Sequence, residues 1–144
     1  MTWANVRATM VASIAALTPG SRPARRFTYV DDGLAEEQAL IRGFDVSLVA
    51  GPSQVGQVLN NTAWRFITEC QISVFYPRME SRAEQEQLIS EDAVQLQQTM
   101  LQKGNHHANV EGLVPVGDGY SNVSVDYDEV GNAVLRVPLV IHHL

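Results

Sequence analysis

The sequence predicts an α+β fold: a mostly antiparallel sheet with two main helices packed on one side, in the order α-β-β-β-α-β-β-β. Three observations carry this expectation. Apolar residues recur every three or four positions in one segment at the N-terminus and in another after residue 80. Elsewhere they alternate with polar residues over strand-length runs. The joins between several of these runs are too short for a crossover connection, so the strands they link must run antiparallel.

The first helix is TWANVRATMVASIAALTPG. Trp3, Val6, Met10, Ile14 and Leu17 form its apolar stripe, Thr2 is placed to cap its start, and Pro19-Gly20 stop it. SRPARR is a polar connector, and RFTYV a short strand with Phe27 and Tyr29 on one face. DDGLAEEQALIRG has room for a helical turn or two between Asp32 and Gly43. FDVSLVA alternates, with Phe44, Val46 and Leu48 on one face and Asp45 and Ser47 on the other. GPSQVGQVLNNT follows, with two glycines, a proline and an Asn-Asn pair, and reads as a long loop of the kind that carries function.

WRFITECQISVFYPR is the clearest strand. Trp64, Phe66, Cys70, Ile72, Val74 and Tyr76 share one face, Arg65, Glu69, Gln71 and Ser73 the other, and Pro77 ends it. SRAEQEQLISEDAVQLQQTMLQKG is helical, with Ile89, Ala93, Leu96 and Met100 as its stripe and Gly104 as its stop. Ser90 is an alternative cap for a shorter helix. NVEGLVPV is a strand, GDGYS a turn, NVSVDY a strand and DEVGN a hairpin turn. The closing AVLRVPLVIHHL places Leu135, Val137, Leu139 and Ile141 on one face. Trp64, Phe66, Ile72 and Val74 are the matching core residues of the long strand.

Residues 1–144 read as one domain, with no internal repeat or linker. The hydrophobic share of 45% and charged share of 18% are those of a globular chain. No apolar run reaches the roughly 20 residues of a membrane span, and no signal peptide is read at the N-terminus. One cysteine, Cys70, excludes an internal disulfide framework and fits a reducing cytoplasm. Ten basic residues against 16 acidic ones give a net charge of −6, which disfavours a protein that grips nucleic acid through phosphates. Arg22, Arg25, Arg26 and Arg42 fall near Asp31, Asp32, Glu36 and Glu37, the pattern of a self-compensating surface.

No catalytic or metal constellation emerges, and no cofactor is expected. His142 and His143 are adjacent on a strand and point to opposite faces. His106-His107 have no carboxylate or cysteine at a zinc spacing. Cys70, mid-strand on the apolar face, is a poor nucleophile. No GxSxG elbow is present, and GPSQVGQV lacks the Lys-Ser/Thr of a phosphate loop. DYDEVG resembles the start of a calcium loop, but Val130 and Val137 stand where ligands belong. Pro138 removes a donor from the last strand and places it at an edge or a bulge. Edges are commonly blunted by lysine, and Lys103 is the only lysine, so an edge covered by another protein is expected, with the last strand as the candidate.

The order of these elements, and the segments VFYPR, ISEDAVQLQQTML and RVPLVIHH, resemble the tail terminator (tail completion) proteins of long-tailed bacteriophages and the related neck proteins of the head-tail junction. The resemblance covers nearly the whole chain. It implies a non-enzymatic virion protein, assembled in the bacterial cytoplasm as a ring, usually a hexamer. Such a ring caps the tail tube, ends its elongation and offers a surface to the head connector. Its implied partners are other copies of itself, the tail tube protein and the connector, and genomic DNA passes through its lumen without specific binding. Acidic residues lining that lumen would repel phosphates. A ring needs two different matching patches on each protomer. The expected interface residues are Arg22, Arg25, Arg26, Pro52, Gln54, Gln57 and Pro138. A head-tail joining protein is the nearest alternative. A small metal- or ligand-binding α+β module using His106, His107 and Asp118 is the distant one.

Overall fold

The computed structural model describes residues 3–17, 27–30, 41–57, 64–101, 110–115 and 123–143. The element order is α1 (Trp3–Ala15), β1 (Thr28–Tyr29), β2 (Gly43–Gln57), β3 (Trp64–Tyr76), α2 (Arg82–Leu101), β4 (Val110–Pro115), β5 (Ser124–Tyr127) and β6 (Ala133–His143). This is the predicted α+β order. The six strands form one sheet in the order β1-β2-β3-β6-β4, with β5 also pairing β6. The sheet is mixed, because β1 runs parallel to β2 while every other pair is antiparallel.

The stripes do what their periods require. Val6, Met10 and Ile14 of α1 are buried, and Trp3 and Leu17 pack against the same core. Leu88, Ile89, Leu96 and Met100 of α2 join them, with Ala93 partly buried. These helical faces meet one face of the sheet. Val46, Ile72 and Val137 stand in a single cross-strand row, and Phe44, Val74 and Leu135 in the next but one. All six are buried, as are Cys70, Tyr76, Leu139 and Ile141. Phe66 is only partly buried, and Trp64 lies on β3 with its side chain outside the description.

Several expectations need correction. α2 begins after Ser81, whose hydroxyl accepts from the Glu84 amide at 3.3 Å, so Ser81 is the cap and Ser90 lies mid-helix. Residues 51–57, read as a loop, continue β2, which is 15 residues long. Leu48, placed on the buried face, is in regular register with the buried Cys70 and yet is 44% exposed, on the outer strand just before the register shift between Leu48 and Ala50. Arg42 is no surface residue: it is fully buried, with φ of 60°. Pro138 is not at a sheet edge. β6 has β3 on one side for its whole length, and β4 and β5 on the other. On that second side the β4 ladder stops at Leu139 and the β5 ladder at Arg136, so Pro138 sits in the gap between them, where neither described strand uses its missing donor.

Candidate assembly surface

β2 changes character along its length. Its first residues are anchored in the core by Phe44 and Val46, and β1 pairs with it only at Gly43 and Phe44. The Phe44 carbonyl accepts from the Val30 amide at 2.8 Å. The Tyr29 ring packs edge-on against Phe44 at 5.7 Å between centroids. Arg7 of α1 ties this corner together by donating to the Tyr29 hydroxyl and, at 3.2 Å, to Asp45 Oδ1. That same carboxylate oxygen accepts the Val46 amide at 2.8 Å.

Beyond Asp45 the outer edge of β2 has no strand beside it among the described residues. Leu48 is 44% exposed and Val49 59%. Ala50, Gly51, Pro52, Ser53 and Gln54 are all exposed, on both faces of the strand. The register with β3 slips between Leu48 and Ala50, between Ala50 and Ser53, and between Gln54 and Gly56. Gly51, with φ of 95°, lies within the second of these shifts. A Cβ there would lie 2.7 Å from the Ile67 carbonyl oxygen, so only glycine lets the strands approach this closely. The result is an exposed arm of β2, uncharged from Ser47 to Gln54, that stays paired with β3 through bulges.

Of the residues expected at an interface, Pro52 and Gln54 lie exposed on this arm. Gln57 lies at its end, paired with Trp64, with its side chain outside the description. Pro138 is two strands away, in a row with Gln71 and Ser47. Arg22, Arg25, Arg26, His106, His107 and Asp118 fall outside the described residues. Leu48 and Val49 are the surface residues that sequence reasoning missed. The signal was present: three apolar residues in succession, Leu48-Val49-Ala50, interrupt the alternation immediately before Gly51-Pro52.

On β5, Asp126 is ion-paired with Arg136, and the Arg82 guanidinium lies 4.3 Å from the centroid of the Tyr127 ring. The β5–β6 turn is held by Asp128 Oδ1, which accepts the amides of Val130, Gly131 and Asn132 at 2.8–2.9 Å. The bond from the Asn132 side chain, and then these backbone bonds, hold the Asp128 carboxyl below its usual value. The carboxylate that made DYDEVG look like a calcium loop is thus occupied by its own backbone.

A scan against protein-family models and a search of the curated proteins return no match to this chain.

Among the described residues, titratable groups are buried or already engaged at Cys70, Tyr76 and Asp128. Burial pushes the Cys70 thiol up to about 12, which removes the thiolate a nucleophile needs. The Tyr76 hydroxyl is held well above 10 by burial and then by Asp92. A polar cleft of about 340 Å³ between the start of α2 and the β5–β6 turn is lined by Arg78, Met79, Glu80, Arg82, Gln85, Asp128, Glu129, Val130 and Gly131. Its lining holds no Ser, Thr, Cys, Lys or His; Asp128 serves the turn, and the Gln85 amide donates to the carbonyls of Tyr76, Pro77 and Gly131. Among the described residues no three His, Cys, Asp or Glu side chains come together, and no helix is long and apolar enough to cross a membrane.

Proposed function

We propose that this chain is a non-enzymatic structural protomer that assembles into a ring and acts as a tail terminator, capping a phage tail tube in the virion and meeting the head connector. The uncharged outer edge of β2 from Ser47 to Gln54, which has no strand beside it among the described residues and has Leu48 and Val49 exposed on it, is the observation that supports assembly. An edge of this length without lysine or other charge is a template for pairing with another chain. The choice of a phage tail rests on the resemblance carried by VFYPR, ISEDAVQLQQTML and RVPLVIHH.

Molar mass by light scattering across a concentration series, with negative-stain images of each peak, tests the reading. Rings of about six copies with a central hole are expected. A monomer at every concentration would count against it. Incubating rings with tail tubes and with head connectors then separates a terminator from a neck protein, by which particle they join first.

A further inference from the structure

Resting on that reading, we infer that the surface receiving the β2 arm is the outer edge of β4 on a second copy of this chain. The inference comes from the register of the sheet. Leu48 of β2 pairs with Cys70, Cys70 with Leu139, and Leu139 with Pro115 of β4. Ala50 connects in the same way through Glu69 and Val140 to Val114, and Gln54 through Phe66 and His143 to Val110. The open stretch of β2 and the whole of β4 therefore occupy the same rows on opposite sides of the sheet. Among the described residues, β4 has a strand only on its β6 side.

Strand polarity agrees. β2, β3, β6 and β4 alternate in direction, each antiparallel to the next. β4 thus runs opposite to β2, and setting the β2 of one copy beside the β4 of another continues the antiparallel alternation without a reversal. The two edges are different surfaces, so the contact is head-to-tail, the type that closes into a ring when its rotation permits. Neither stretch carries a basic residue, and Glu111 is the only charge in the two together, so no like-charge row opposes the approach. Pro52 divides the β2 edge into two runs, Ser47–Ala50 and Ser53–Gln57, because it has no amide to donate. The β5 and β1 edges are shorter acceptors, with four residues and two.

Thiol cross-linking tests the pairing. Ala50→Cys and Val114→Cys chains are prepared singly, mixed one to one, and combined in one chain, with a short bis-maleimide as the probe. Gln54→Cys with Val110→Cys is a second pair in case a β4 variant loses the wild-type circular dichroism. Native Cys70 is 1% exposed and is the background in every sample. Expected are covalent dimers in the mixture and a ladder of multimers from the combined chain, with each single variant no higher than wild type. Multimers by light scattering with no cross-link from either pair would overturn the β4 assignment and leave assembly through β2 standing. A chain that stays monomeric at every concentration would overturn both.

Discussion

Arg42 and Asp92, 50 residues apart in sequence, meet in a two-pronged ion pair inside the core. Nε donates to Oδ2 at 2.8 Å and Nη2 to Oδ1 at 3.0 Å, and both side chains are almost wholly buried. The Tyr76 hydroxyl donates to the same Oδ2 at 2.7 Å, and the Arg42 guanidinium lies 5.5 Å from the Phe27 ring centroid. The backbone of Arg42 joins strands as well: its amide donates to the Phe75 carbonyl, and its carbonyl accepts from the Thr28 amide. One residue thus links α2, β3 and β1 at the point where β2 begins.

Asp92→Ala leaves the guanidinium buried without its partner and should cost about 3–5 kcal/mol. Replacing the whole network, Arg42→Met with Asp92→Leu and Tyr76→Phe, should cost much less, because no buried charge is then orphaned. Urea unfolding of the two variants checks the order.

Alkaline pH should destabilise the fold. Cys70 and Tyr76 both have folded values above their ordinary ones of 9.0 and 10.0. A raised value means that the folded state holds its proton longer than the unfolded chain. Stability is therefore complete below pH 9 and falls as pH rises beyond it, by about 1.4 kcal/mol per pH unit for each group engaged. Cys70→Ala should remove the part between pH 9 and about 12, which unfolding measured across that range would show.

Leu139 and Leu48 stand in the same row but should respond oppositely to aspartate. Leu139 is 1% exposed, and Leu139→Asp should cost several kcal/mol and give unfolded or insoluble protein. Leu48→Asp and Val49→Lys should change stability by no more than about 0.5 kcal/mol and lower the mass of any assembly. Substitutions at Pro52, Gln54 and Gln57 should follow this second pattern. Thermal unfolding paired with light scattering distinguishes the two classes.

Two glycines with similar φ should differ in cost. Gly51→Ala adds both left-handed strain and a Cβ 2.7 Å from backbone, and should cost about 2–3 kcal/mol. Gly131→Ala, at φ 101°, meets only the Arg78 side chain at 3.3 Å, which can move, and should cost about 1 kcal/mol. Unfolding free energies of the two variants give the comparison.

The periodic elements are legible in the chain without its partners. The α1 stripe of Val6, Met10 and Ile14, the β3 face of Cys70, Ile72, Val74 and Tyr76, and the β6 face of Leu135 to Ile141 were all legible, because burial on one side imposes the element's own period on neighbouring residues. The Asp128 turn was legible for the same reason, since its bonds are local. Tertiary structure decided what depends on distant partners. Arg42 looked like one of several surface arginines until Asp92 met it from another element. Pro138 looked like an edge residue until β4 and β5 took the far side of β6 and left a gap at its position. GPSQVGQ looked like a loop because its glycines and proline suit turns, and it is strand because β3 pairs with it through bulges. Whether a strand lies at the edge or the interior is a property of which segments sit beside it, and spacing along one segment carries no information about that.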